Sequence, residues 1–268
     1  MKHHHHPGDL VPPGLLAARS WLLSKRVERH TVDNWLKSGQ LVAVARGVFK
    51  RPEADLTWQG VVCSLQRMGL NSTPGGLTSL ALQGMTHHLS LGEPGKIHLY
   101  GHQQLPEWVN TLLPETTFHR HQPLELDSSA DDSGFHMVPW KTQVLSFGYD
   151  RCQLQISSPE LAMLELLMDV PKSVSFEHAS NLLQGLPTLS PQKVVQLLEH
   201  CRNVKVKRLF LWLAEKNQSP WLKKLDLQKF SIEGGTLGSG KRVVAKGGKL
   251  DSKYLITVPP EMVGENHG

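Results

Sequence analysis

Residues 28–38 read ERHTVDNWLKS, and their periodicity decides the fold. At 3.6 residues per turn, Val32, Trp35 and Leu36 share one narrow face. His30, Asp33, Asn34 and Lys37 lie opposite, with Arg29 and Thr31 on the flanks. A helix with so narrow an apolar seam must lean on other elements. Its polar face carries Arg and Lys, which suit phosphates, and Arg and Asn, which suit base edges. Upstream, residues 15–25 show a second short helical pattern. Pro12 and Pro13 stand at its start, and Leu15, Leu16, Ala18, Leu22 and Leu23 are its apolar positions. Downstream, Gly39 suits a helix end, and LVAVARGVFKR reads as two short strands turning at Arg46-Gly47. Helix, turn, helix, basic hairpin is the order of a winged helix-turn-helix, whose second helix enters the major groove. Glu28 is a weaker N-cap than Ser, Thr or Asp, so the start of that helix is loosely specified.

Charge is unevenly placed. Residues 20–51 hold seven Lys/Arg against two acids, residues 52–192 hold six against fourteen, and residues 193–253 hold fourteen against five. Two basic ends around an acidic middle predict two surfaces for a polyanion. The first eight residues, MKHHHHPG, read as an expression tag, so His3 to His6 are not read as a metal site. No apolar run reaches the ~18–20 residues of a membrane span, and no signal-peptide pattern follows the tag. Cys63, Cys152 and Cys201 stand in no ligand spacing and read as buried thiols of a cytoplasmic protein.

The rest of the chain predicts an α+β protein: an N-terminal winged helix-turn-helix domain followed by a larger mixed α/β C-terminal domain. Thr57 caps a helix carrying Trp58, Val61, Val62, Leu65 and Met68, and TPGGLTSLALQGM follows as a small-residue helix. The glycine- and proline-punctuated stretch LSLGEPGK places the boundary near 89–96, giving 9–95 (core 14–52) and 96–268. KIHLY, TTFHRH, FHMVPW and CQLQI read as strands, 106–113 as a short helix, and 124–133 as an acidic exposed loop. Ser157-Ser158-Pro159-Glu160 opens a helix as a capping box, and helices also begin at Ser175, at Ser190-Pro191 and near Val204. KFSIEG, KRVVAKG and KYLITV read as a β-rich tail.

Chemical motifs are weak. GTLGSGKR, residues 235–242, satisfies G-x-x-x-x-G-K, but Arg242 stands where a phosphate loop needs Ser or Thr for magnesium. VVAKGG then reads as strand rather than helix, which favours a basic glycine-rich hairpin. His119 and His121 share a strand face, but neither they nor His87-His88 belong to a zinc-ligand spacing. Asp131-Asp132 has no partner for acid–base work. No cofactor, metal or catalytic residue is assigned.

WLLSKRVERHTVDNWLKSGQLVAVARGVFKR, GGLTSLALQGM, ISSPELAMLELL and LGSGKRVVAKGGKLDSKYLITVP, in that order, resemble AbiEi-type antitoxins of type IV toxin–antitoxin, or abortive phage infection, systems of bacteria. Phe49 departs from the Tyr of many relatives, and Glu28 from their usual Ser-like cap. The resemblance implies an autorepressor that binds inverted repeats in its own promoter. It also implies a C-terminal domain that counters a nucleotidyltransferase-like toxin without requiring a stable complex. On that reading Arg29, His30, Thr31, Asn34 and Lys37 face the groove, while Lys25, Arg26, Arg46, Lys50 and Arg51 touch the backbone. Lys205, Lys207, Arg208, Lys241 and Arg242 form a secondary DNA or antitoxicity surface. The alternatives are an enzyme that modifies the toxin, for example by phosphorylation around Gly238, Gly240 and Lys241, and a protein that masks the toxin directly.

Overall fold

Pro12-Pro13-Gly14 turns the chain sharply, with Gly14 at φ +77°, a value L side chains rarely adopt. The computed structural model describes residues 6–85, 95–127, 141–147, 152–232 and 235–263. Ahead of the turn, α1 (Pro7–Leu10) is a single helical turn, with Pro7 and Val11 buried. After the turn comes β1 (Leu16–Ala18), which corrects the expected helix over 15–25; only α2 (Arg19–Ser24) is helical. The apolar run is spent on a strand because a partner awaits it. β1 pairs antiparallel with β3 (Val48–Lys50), which also pairs with β2 (Val42–Ala45). Between them runs α3 (Arg29–Lys37). Val11, Ala17, Leu22, Val27, Val32, Trp35, Leu41 and Phe49 form the core of this module. Burying each large apolar side chain contributes roughly 1.5–3 kcal/mol.

α4 (Trp58–Arg67) is capped by the Thr57 hydroxyl on Gly60 N–H, and its Ser64 hydroxyl accepts from Leu16 N–H at 2.7 Å. β4 (Thr73–Pro74) then starts a second sheet, and α5 (Gly76–Leu82) follows. β5 (Lys96–Tyr100) lies between β4 and the parallel β6 (Thr117–His121), joined through a helical turn at Glu107–Thr111. β7 (Thr142–Phe147), absent from the sequence reading, pairs with β8 (Cys152–Ser157). The Gln66 side-chain amide binds the Gln155 backbone both ways, at 2.9 and 3.0 Å. On the same helix Cys63 is disulfide-bonded to Cys152 across 89 residues of chain. Two of the three expected thiols are thus paired, by packing that spacing does not reveal, and Cys201 is the free, buried one.

The helices after β8 surround α6 (Pro159–Met168), which is buried along almost its whole length. Its cap is Ser158, which accepts from Leu161 N–H; the capping box expected from Ser157 does not form, because the Ser157 hydroxyl donates to Glu165 Oε1 at 3.1 Å. α7 (Phe176–Gln184), α8 (Pro191–His200) and α9 (Val204–Lys216) are capped by Ser175, Ser190 and Asn203. They share with α6 a core that runs from Leu80 to Val258. The tail is less β-rich than expected: β9 (Lys249–Asp251) pairs with β10 (Ile256–Val258), Arg242 bridges beside Ile256, and a helical turn at Leu227–Lys229 leads into residues 230–232, which carry no strand.

Two compact units result, and the chain passes between them several times. One holds 1–74, 93–122 and 143–156; the other holds 75–92, 123–142 and 157–268. A single break at 95/96 does not describe these units, because the β4–β5–β6 sheet joins residues from both sides of it.

Candidate nucleic-acid interface

α3 rests Val32 and Trp35 in the core and exposes Arg29, His30, Asn34 and Lys37, with Thr31 half-buried on its flank. The face read from periodicity is the face that meets solvent. Glu28 occupies the N-cap with extended backbone but makes no side-chain cap bond; its carboxylate instead stands 3.0 Å from His30 Nδ1. Asp33 is not a free acid on this face. Arg19 Nη1 reaches it at 2.7 Å, while the same guanidinium lies 5.2 Å from the Phe49 ring centroid on β3. Arg19 N–H also donates to Gly47 O at 2.8 Å, in the hairpin turn. One residue therefore touches the helix, the strand and the turn of the module. Arg19 escapes sequence reasoning because it stands inside the expected helix over 15–25; its spacing of 14 residues from Asp33, the acid of the α3 polar face, is the signal that points to it.

The backbone candidates divide. Arg46 is exposed at the hairpin tip, beside Gly47 at φ +71°. Lys25 and Arg26 are exposed where α2 gives way to α3, and Lys25 Nζ lies 5.6 Å from the Trp21 ring centroid. Lys50 turns onto Ala54 O at 2.6 Å, and Arg51 holds Glu53 through Nη2 and Nε at 2.8 and 3.2 Å. Those two cations already have partners within the fold.

The C-terminal basic set is largely structural. Lys205 Nζ donates to Met168 O and Val170 O, and Lys207 Nζ to Thr236 O. Arg208 has no exposed surface; it donates through Nε to Leu237 O, through Nη1 to Gly240 O and Leu255 O, and through Nη2 to Gly238 O. Burial lowers the proton affinity of all three, and the nearby Arg242 lowers that of Arg208 further. Lys207 and Arg208 are thus corrected from surface to core, and Lys205 is held half-buried. Lys241 and Arg242 remain exposed.

His98 and His121 stand close, Nδ1 to Nε2 at 2.8 Å, with His119 in register opposite His98. Burial, followed by His121 and His119, pushes the His98 pKa down to about 4. Among the described residues no three His, Cys, Asp or Glu are placed to hold a metal ion. His87-His88, Asp131-Asp132, FHMVPW and most of the acidic loop lie outside the described residues. Among the described residues no helix is long and apolar enough to cross a membrane.

The chain matches two family models. Residues 5–91 match the AbiEi antitoxin N-terminal domain of transcriptional regulators. Residues 94–259 match the transcriptional regulator, AbiEi antitoxin, of type IV toxin–antitoxin systems. The models meet within 91–94, whereas the compact units exchange segments across that point. A crystal structure of the RV2827C protein from Mycobacterium tuberculosis is similar at TM-score 0.49 and 14% identity, over 90% of this chain and 85% of that one. No curated protein matches. With both models matched over nearly its whole length, the chain belongs to the AbiEi antitoxin family, the transcriptional regulators of type IV toxin–antitoxin systems.

Proposed function

We propose that this regulator represses its own promoter by reading inverted repeats in duplex DNA with α3. The observation that carries this is the exposed row Arg29, His30, Asn34 and Lys37 on a helix whose opposite face is anchored by Val32 and Trp35, with Arg46 exposed on the adjoining hairpin. Asn34 suits adenine and Arg29 suits guanine, each good bidentate contact giving roughly 1–3 kcal/mol of discrimination. Thr31 and His30 complete the groove-facing set. Lys25, Arg26 and Arg46 position the module on phosphates. Lys50 and Arg51 contribute only by leaving their partners Ala54 and Glu53.

The cognate toxin is, on the same reading, a nucleotidyltransferase-like protein, countered without an obligatory stable complex. The toxin-phosphorylating alternative finds no support at residues 235–242, since the segment after Lys241 bridges to Ile256 instead of starting a helix. Gel shifts with duplex from the chain's own upstream region and with a scrambled duplex, at two salt concentrations, test the reading. Preference for the upstream duplex that persists at the higher salt supports it. Equal, salt-sensitive binding to both leaves only non-specific attraction.

A further inference from the structure

Arg208 is a buried cation whose partners are all carbonyls. Three of them belong to one glycine-rich loop: Leu237 at 2.9 Å, Gly238 at 2.9 Å and Gly240 at 2.6 Å. Lys207 holds the preceding carbonyl, that of Thr236. A trans peptide group points its N–H opposite to its C=O. With the carbonyls of Gly238 and Gly240 drawn inward onto Arg208, the N–H groups of Ser239 and Lys241 turn outward. Outward is solvent: Ser239, Gly240, Lys241 and Arg242 are all exposed. Among the described residues neither of those N–H groups has a backbone acceptor. Gly238 and Gly240 stand at φ +67° and +72°, on either side of Ser239, and N–H groups directed outward from such a turn form an anion-binding concavity. Gly238 is needed twice, because a Cβ there would come within 2.8 Å of Val204 Cγ2.

The charge around the loop has the same sign on both sides. Arg208 lies beneath it, and Lys241 and Arg242 lie at its rim. Residues 235–250 contain no Asp or Glu, and Lys246 and Lys249 are also exposed. Val243, 74% exposed, sits among these cations. We propose that residues 238–242 form a phosphate-binding site, and that its ligand is the backbone of duplex DNA. A free nucleotide is the poorer ligand. The loop has no hydroxyl after Lys241 for magnesium, and no helix N-terminus follows it. The exposed cations also run on through Lys246 and Lys249, more charge than one nucleotide requires. This site deepens the reading of the chain as a DNA-binding regulator, but it does not depend on operator recognition by α3.

The test uses the full chain, labelled with nitrogen-15, and titrates it separately with ATP, with an RNA hairpin and with a short scrambled DNA duplex. The duplex shifts the amide signals of Gly238 to Lys241, and does so at lower phosphate concentration than ATP or RNA. In anisotropy titrations the exposed-surface variant Lys241→Gln/Arg242→Gln binds the scrambled duplex more weakly, with its log–log salt slope reduced by about 1.8 and its melting temperature unchanged. Arg46→Gln, as the comparison, lowers the slope while leaving the loop amide shifts in place. Loop amides that ignore the duplex, or a slope unchanged in the double variant, overturn the site. Equal or tighter response to ATP or RNA overturns the assignment to duplex DNA. Loss of upstream-duplex preference with these loop responses intact counts against operator reading by α3 and not against the loop.

Discussion

Arg29 and Glu165 show how differently two charged residues on helices behave. Arg29 is exposed on α3, so its substitution is expected to act on the proposed DNA binding and to leave the fold intact. Asn34→Ala is expected to relax operator specificity by about 1–3 kcal/mol at one base position. Arg46→Ala weakens all duplexes alike and lowers the salt slope by about 0.9. Quantitative gel shifts on operator and random duplex separate the two; equal losses on both for Asn34→Ala would contradict its base-reading role. Glu165 is wholly buried, and its pKa is pushed up to about 8 by burial, against the opposing bonds from Gly76 N–H and the Ser157 hydroxyl. The folded chain therefore keeps a proton that the unfolded chain loses near 4.5. The contribution of Glu165 to stability is fullest below that pH, falls between pH 4.5 and about 8, and levels off above. Within this window the slope from this group is at most about 1.4 kcal/mol per pH unit. Glu165→Gln, which cannot ionise, is expected to flatten that part of the curve in urea melts at pH 5, 7 and 9. An unchanged pH dependence would rule out Glu165 as its source. Arg208→Met is expected to cost roughly 3 kcal/mol, because the carbonyls of Leu237, Gly238, Gly240 and Leu255 lose their donor at once; a melting temperature equal to wild type would contradict the clamp.

Elements whose signals are local were legible in the sequence. α6, α7, α8 and α9 each start at a Ser or Asn that accepts from the second or third N–H of the helix, chemistry contained within four residues. α3 was legible because three apolar positions fix its face. β1 was not, because LLAA suits helix or strand equally and only the distant β3 decides. β7 shows too weak an alternation to stand out. The candidate site divides in the same way. The exposure of Arg29, Asn34 and Arg46 was legible from face and turn, whereas Lys207 and Arg208 looked like surface charge, since the carbonyls that bury them lie 29 to 47 residues downstream. The Arg19 link joins three elements in one module. Its ion pair with Asp33 is half-exposed, so a double-mutant cycle on stability should give only about 0.2–1 kcal/mol. On operator affinity the loss from Arg19→Ala should exceed that, because Asp33 is then left unneutralised on the helix proposed to enter the groove. Affinity and stability losses of equal size would show that Arg19 does no more than hold the fold.

For the whole molecule, the interleaving of the two units has a practical result. A fragment ending at residue 95 keeps β4 but loses β5, its strand partner, together with β8, whose backbone Gln66 holds and whose Cys152 is bonded to Cys63. Such a fragment is expected to show faster amide exchange through α4 than the full chain, while the core of Val11 to Phe49 stays protected. Equal protection throughout would show that the first unit does not need its later segments. Point substitutions such as Asn34→Ala and Lys241→Gln, which leave both units whole, are therefore the cleaner way to compare the proposed α3 and loop contacts with DNA.

The order in which the residues of the first unit occur also sets a timetable during synthesis. Every residue of the winged core lies before residue 51, yet the same unit is not complete until residue 156. At ~5–20 residues per second, roughly 5–20 s separate these points on the ribosome. A nascent chain can thus have the helix proposed to read DNA in place while most of the rest of the polypeptide has yet to be made.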